Sequence, residues 1–484
     1  MKRGQLYFVG YANGIFLVAL ATAMLIPAII DATNNARESM TFAISATISG
    51  GVGGLLVIAL RGTGNMLFGR HTGFLLTVSA WITLSFFGSL PLLLSSLGLS
   101  LADAVFETVS GLTTTGATVL TGLDTMGSGL LLWRSLLQWI GGVGIVVMAI
   151  AMLPMMRVGG MQLFQMESSD VSGKLFARVS ELARVTGAVY VGLTLACAVG
   201  LMFAGMDLFD AVNHAMATLA TGGFSTKDAS VGYYDSVAIE AVIIVFMVAG
   251  ALPLVAYANF FMRGRRAILE DEQIVTFLKV LATAILLTFY WNVSQGMEPV
   301  LALRASAFNV TSILTDTGFA TTDFSTWGSF AVGLFFVLFF IGGCAGSTAG
   351  AIKMFRWQIL FSGARAHLKT TLSPNRVVVL NYRGQSVDPD TLGAVRNFLF
   401  VYLVTFIALS LLVMVTGLDF LSATSSIAQA MANAGPGLGP VVGPGTNFES
   451  IPTAAKWIIA LAMILGRLEV ATVYVLLLPD FWKS

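Results

Sequence analysis

The chain is predicted to be an all-α polytopic membrane protein. Four repeats of long helix, short helix and long helix surround a central pore, and two extra transmembrane helices precede them. Three observations predict this. Of 484 residues, 56% are hydrophobic and 11% charged, and apolar runs of about 20 residues, each able to cross ~30 Å of hydrocarbon, recur along the chain. Four segments of helix-forming character lead into glycines: DAVFETVSGLTTTGAT (Asp103–Thr118), DAVNHAMATLATGGFS, ASAFNVTSILTDTGFA and the looser SATSSIAQAMANAGPG. The glycines, 116, 223, 318 and 435, lie 107, 95 and 117 residues apart, a recurrence that marks repeated units. Finally, the basic residues concentrate on one side of the membrane.

The first apolar run, about 6–30, follows Met1-Lys2-Arg3 but is too long for a signal-peptide core and lacks a cleavage site, so it is expected as a retained helix over about 5–30. A polar turn with Asn34, Asn35, Arg37 and Glu38 leads to a second helix at 41–60, and Arg61, Arg70 and His71 mark a charged loop. The repeats are then expected at 72–97, 102–115 and 130–155; 184–205, 209–222 and 236–262; 272–292, 300–317 and 329–361; and 393–416, 419–434 and 453–479. The corresponding divisions are 1–70, 71–156, 157–263, 264–362 and 363–484. The middle helices are too short to span and must be re-entrant. Non-helical backbone at membrane depth is tolerated only where it is buried in protein or lines a cavity, so the glycine loops face a central wet space.

With the N-terminus inside and ten spans, most of the 26 Lys and Arg fall on the inner side, among them Arg157, Lys174, Arg178, Arg263, Arg265, Arg266, Arg365, Lys369 and Arg376. Asp103, Glu107, Asp207, Asp210, Asp228, Asp235, Asp316, Asp323 and Asp419 are assigned to the outer side. An acidic vestibule would concentrate cations there, and the competing reading is that acids merely tolerate that side. Cys197 and Cys344 form no metal or disulfide pattern, and His71, His214 and His367 are scattered. There is no G-x-S-x-G, H-E-x-x-H or Walker A sequence, and the glycines of 435–439 do not follow a strand as a dinucleotide loop must. An enzyme, a resident cofactor and a nucleic-acid partner are therefore not expected.

Glycine at 116, 223, 318 and 435 permits φ > 0, so successive carbonyls can turn toward one axis and replace an ion's hydration shell. Thr114, Thr115, Ala117, Thr221, Gly222, Phe224, Asp316, Thr317, Phe319, Asn433, Ala434 and Pro436 flank them. Each short helix aims its partly negative C-terminus at the centre, which favours a cation. The alternative is that these glycines only allow close helix packing. Gly342, Gly343, Gly346 and Gly350, with Ser347 and Thr348, interrupt a long apolar helix; three of them, spaced i, i+4 and i+8, equally fit a packing motif. Arg467 lies mid-span, where an arginine needs a wet cavity or a partner. Lys353 is either a second cationic element or an ordinary inner anchor.

TTTGAT, ATGGFS, TDTGFATTDF and ANAGPG resemble the four filters of the Trk/Ktr/HKT superfamily of potassium transporters, and FFIGGCAGSTAGAIKMFR (339–356) resembles the broken inner helix of its third repeat. The two leading helices point to the bacterial TrkH/TrkG branch. The resemblance covers essentially the whole chain. It implies gated K+ uptake through a single-chain pseudo-tetramer in the bacterial inner membrane, with cytoplasmic termini and usually as a homodimer. It places K+ at Thr115, Gly116, Thr221, Gly222, Thr317, Gly318, Asn433 and Ala434. The loop Gly342–Lys353 becomes a mobile gate acting with Arg467. A serine in place of the first-filter glycine goes with Na+ permeation in that family, so the intact Gly116 favours K+. The fourth filter departs most, lacking threonine before Gly435 and carrying Pro436 after it.

The family also implies a cytosolic nucleotide-binding RCK partner of TrkA type, docking on inner loops 156–182 and 362–392 and the C-terminus Phe481–Ser484; the competing reading is basic loops facing anionic lipid. Nucleotide control would arrive only through that partner. A secondary transporter coupling K+ to H+ or Na+ is the alternative, although that class usually shows two related halves rather than four quarters.

Overall fold

The structure, a computed structural model, describes residues 3–33, 36–62, 69–152, 175–263, 271–375, 381–382 and 385–483. Among the described residues six helices are long and apolar enough to cross a membrane, and a seventh if two pieces bent by 106° count as one span. The helices Arg3–Asp31 and Ala36–Leu60 pack along each other. They touch at Gly14 and Gly53, where a Cβ on Gly14 would lie 2.8 Å from the Gly53 carbonyl oxygen. Small residues at such a crossing let backbones approach closely in lipid. Their outer faces carry exposed Ile29, Leu55 and Ile58, as a lipid-facing surface should.

The sequence of long helix, short helix, glycine loop and long helix then occurs four times. The short helices are Leu101–Leu112, Leu208–Leu219, Pro299–Leu314 and Phe420–Ala432. Each starts under a side-chain cap: Ser100 accepts from Asp103 N, Asp207 from Phe209 N, Glu298 from Val300 N and Leu301 N, and Asp419 from Ser422 N. Such caps satisfy orphan amides, and an acidic side chain also complements the positive end of the helix. Beyond their first turns these helices are almost wholly buried. All four end two or three residues before the expected boundary, because the loop backbone turns left-handed there.

Three of the closing helices are broken. The span expected at 236–262 divides into Val237–Ala251 and Leu254–Arg263 around Pro253, which lacks the amide a continuous helix needs. That expected at 329–361 runs only Ser329–Leu338, and helix resumes at Met354–Leu372 after a loop of residues 339–353. The helix-packing alternative for Gly342, Gly346 and Gly350 is thereby set aside. The span expected at 453–479 breaks at Leu468–Glu469 into Thr453–Arg467 and Val470–Leu477. Arg467 therefore ends a helix rather than sitting within one.

A hairpin of Asn381–Tyr382 with Gln385–Ser386 follows helix Met354–Leu372. Residues 153–174, most of the inner loop expected at 156–182, lie outside the described residues, as do 264–270, 376–380 and 383–384.

Candidate functional site

The four short helices end in the same way. Thr115 N donates to Ser110 O (2.8 Å), Gly222 N to Ala217 O (2.8 Å), Thr317 N to Ser312 O (2.8 Å) and Ala434 N to Gln429 O (3.0 Å). One residue earlier, Thr114 N reaches Gly111 O, Thr221 N Thr218 O, Asp316 N Ile313 O and Asn433 N Ala430 O. This pair of bonds is the Schellman motif, which needs a left-handed residue just past the helix. Thr114 (φ 55°), Thr221 (51°), Asp316 (58°) and Asn433 (60°) fill that position. Two residues later come Gly116 (φ 85°), Gly223 (75°), Gly318 (93°) and Gly435 (94°). The fourth loop, the least regular in sequence, keeps the same register.

The loops close a ring. A Cβ on Gly116 would lie 2.1 Å from Gly222 O, and one on Gly223 2.1 Å from Thr317 O. On Gly318 it would lie 2.6 Å from Ala434 O, and on Gly435 3.1 Å from Thr115 O. Each glycine thus abuts the carbonyl that precedes the next loop's glycine, from the first loop round to the first again. Contacts of 2.1 Å leave no room for a side chain, so the close approach requires glycine. Ala117, Phe224 and Phe319 pack behind the ring, while Pro436 is half-buried.

Supports behind the loops were not legible as functional in the sequence. Nine residues before the first three glycines stand Glu107, His214 and Asn309, each bonded to its own loop beyond the glycine. Val119 N donates to Glu107 Oε2 (2.9 Å), the His214 ring Nε2 meets Ser225 Oγ (2.9 Å), and Thr321 N donates to Asn309 Oδ1 (3.2 Å). Arg134 pairs with Glu107 at 2.8 Å, both fully buried, and also donates to Ser225 O. The guanidinium lies 4.1 Å from the Phe224 ring centroid, joining the first loop to the second. The fixed spacing to the glycines was the available signal.

Eight of the nine acids assigned to the outer side have structural partners. Asp103 pairs with Lys456 (2.6 Å), Asp210 with Lys227 (3.6 Å) and Asp235 with Arg304 (2.8 Å), besides Glu107 with Arg134. Asp207, Asp323 and Asp419 cap helices, and Asp228 accepts from Leu123 N. The hydrogen bonds of Ser422 hold the Asp419 carboxyl below the usual carboxylate range, against the opposing effect of burial. The ninth, Asp316, is misplaced by the sequence reading. It lies fully buried at the C-terminal end of its short helix, against the loop of residues 339–353: a Cβ on Gly342 would be 3.0 Å from Asp316 Oδ2. Neither of its carboxylate oxygens has a hydrogen-bond partner among the described residues.

That loop packs against the C-terminal ends of the second, third and fourth short helices. Gly342 N donates to Ile352 O (3.1 Å) and Met354 N to Gly343 O (3.1 Å), closing the neck. Cys344 N donates to Ala251 O, Leu254 N to Gly346 O and Ser347 Oγ to Cys344 O. The Thr348 hydroxyl lies 3.0 Å from Leu219 O and 3.1 Å from Gly250 O, and Thr221 Oγ1 donates to it at 3.3 Å. Ala351 N donates to Ala432 O (2.9 Å), and Gly350 packs so tightly there that a Cβ would lie 1.9 Å from that oxygen. Arg467 Nη1 donates to Thr348 O at 2.9 Å, while its Nε and Nη2 have no partner among the described residues. Lys353 folds its Nζ back onto Ala349 O, which removes the reading of it as an inner-surface anchor. The structure therefore sets the four glycine loops edge to edge, with the loop of residues 339–353 and Arg467 packed against them.

The family described as TrkH, cation transport protein, matches residues 39–294 and 274–483. The chain is 41% identical to the Trk system potassium uptake protein TrkI of Halomonas elongata, over 97% of this chain and 96% of that one. It is 37% identical to the TrkH protein of the same system in Escherichia coli K12, over 97% and 98%. The crystal structure of the potassium transporter TrkH from Vibrio parahaemolyticus superposes with a TM-score of 0.90 at 35% identity, covering 98% of this chain and 99% of that one.

Proposed function

The chain belongs to the TrkH family of cation transport proteins, and from that premise we propose that it takes up K+ across the bacterial inner membrane through the four-loop carbonyl ring. The observation that carries this reading is the closure of the ring: four glycines each seated against the next loop's carbonyl. A dehydrated monovalent cation on the axis would meet the carbonyls of Thr115, Gly222, Thr317 and Ala434, with those of Gly116, Thr221, Gly318 and Asn433 in adjoining layers. Loop 342–353 with Arg467 serves as the gate: a cation on the axis must pass both a plug and a positive charge. The four repeats divide at about 71, 157, 264 and 363, both termini are cytoplasmic, and the unit is a homodimer with a TrkA-type RCK subunit on its inner face. The deciding experiment is rubidium-tracer uptake by purified protein in liposomes with K+ or Na+ as competitor. K+ should compete strongly and Na+ weakly; no uptake, or equal competition, sinks the reading.

One observation favours a coupled mechanism as the second reading. Asp316 is a fully buried carboxylate in the field of Lys353 and Arg467, beside the proposed ion path, the kind of group that carries protons in membrane transporters. A pH-sensitive dye trapped in the same liposomes separates the two. Proton entry in fixed proportion to K+ supports coupling, and K+ entry without it supports channel-like conduction.

A further inference from the structure

The ring position before the glycine is Thr115, Gly222, Thr317 and Ala434 in the four loops, and the second is unlike the others for a visible reason. In the first loop Thr115 Oγ1 pairs with Thr113 Oγ1 (2.7 Å), and in the third Thr317 Oγ1 pairs with Thr315 Oγ1 (2.8 Å). In the fourth, Asn433 Nδ2 donates to Met463 O (3.0 Å) and to Thr115 Oγ1 (2.9 Å). The second loop has no side chain at the ring position, and its Thr221 hydroxyl turns to Ala220 O and the Thr348 hydroxyl. Its brace comes instead from helix Ser128–Met152: the fully buried amide of Gln138 donates from Nε2 to Gly222 O (2.5 Å) and accepts Phe224 N at Oε1 (3.1 Å). A Cβ on residue 222 would lie 2.4 Å from Gln138 Cδ, so Gln138 is why this loop carries a second glycine.

We propose that Gln138 is a specificity-determining positioning residue, which holds the Gly222 carbonyl back at the distance K+ needs; this rests on reading the ring as the ion filter. A carbonyl has two lone pairs. One is taken by the Gln138 amide, and the other remains for the ion. Na+ is smaller than K+ and is best coordinated by oxygens that close in on it. A ring member tied from behind cannot close in without breaking its hydrogen bond, which adds a cost for Na+ that K+ does not incur. The brace grips both sides of Gly223, so it fixes the orientation of the peptide as well as the reach of the oxygen. Other polar groups bonded to the same loop, Arg134 and His214, attach at Ser225, beyond the ring layer.

The test is the ratio of K+ to Na+ competition against rubidium uptake in liposomes, for wild type, Gln138→Met and Gln138→Glu. Gln138→Met keeps the volume and removes both bonds. Its ratio should fall about fivefold, equivalent to about 1 kcal/mol, the net contribution of one hydrogen bond. Gln138→Glu controls for packing. Protonated, it can donate to Gly222 O as the amide does; ionised, it only accepts. Its ratio should therefore approach wild type in acid and fall in alkali, with Gln138→Met showing no such recovery in acid. Unchanged ratios in both variants overturn the inference while leaving the filter reading intact. Lowered yield or thermal stability with an unchanged ratio in the folded fraction also overturns it, since that is a purely structural role. A wild type that does not prefer K+ overturns the filter reading and this inference together.

Discussion

Thr114, Thr221, Asp316 and Asn433 share one left-handed conformation, although only aspartate and asparagine adopt it with any ease. Holding threonine there costs of order 1–3 kcal/mol per residue and persists because both Schellman bonds fix it from the helix side. The glycines two residues later face a stricter limit, and the limit is graded around the ring. Substitution by serine should harm Gly116 and Gly223 most, where the added Cβ meets a carbonyl at 2.1 Å, Gly318 less at 2.6 Å, and Gly435 least at 3.1 Å. All four share the strain of positive φ, so differences among them report the neighbouring carbonyl. The K+ to Na+ preference measured across the four variants should follow that order; an equal loss at all four would mean that backbone strain alone sets the outcome. The glycines were readable because they repeat. Gln138 was not, because it reads as an isolated polar residue until its partner, 86 residues away, is brought beside it.

Among elements, legibility depended on whether the cause of a feature is local. Gly342, Gly343, Gly346 and Gly350 weaken helix by about 1 kcal/mol each relative to alanine, so a break there could be weighed from sequence. Pro253 offered the same kind of signal for the break after Ala251, within a span taken as continuous. The 106° bend at Leu468–Glu469 has no proline, only Gly466 in the turn before it. Glu469 is held at φ 58°, and its carboxylate pairs at 2.6 Å with Arg356, a buried residue 113 positions away whose guanidinium also covers the Phe398 ring. Only the assembled fold supplies that partner. The loop of residues 339–353 is tied to its surroundings largely through Thr348, which contacts the second short helix, helix Val237–Ala251 and Arg467. Thr348→Val keeps the shape and removes the hydroxyl, while the backbone bonds of Thr348 N and O remain. If the loop is the gate, rubidium flux should rise severalfold, as losing the one hydrogen bond that the hydroxyl proton shares between Leu219 O and Gly250 O, worth about 1 kcal/mol, would give. Deleting 342–351 should raise it further. Flux unchanged by both alterations removes the gate assignment.

At the scale of the whole molecule, composition and repeats sufficed for the architecture. Ring closure was not readable, because it depends on which loop abuts which in space. Charge was half legible. Of the nine acids named, seven serve caps and ion pairs, Asp228 accepts a backbone amide, and the ninth faces the loop of residues 339–353. The proposed regulatory arrangement makes a sharp demand. On the arrangement proposed above, any nucleotide control is supplied by a cytosolic nucleotide-binding subunit rather than by this chain. A ligand shifts an equilibrium only through its different affinity for the two states, so a nucleotide without a site on this chain cannot open the pore by itself. ATP, ADP or NADH added to liposomes holding the chain alone should leave rubidium flux unchanged. With a TrkA-type subunit bound, flux should become nucleotide-dependent, and trimming the C-terminal Phe481–Ser484 should weaken that dependence more than it changes basal flux. A nucleotide response from the purified chain alone would place the sensor within it and remove the need for the partner.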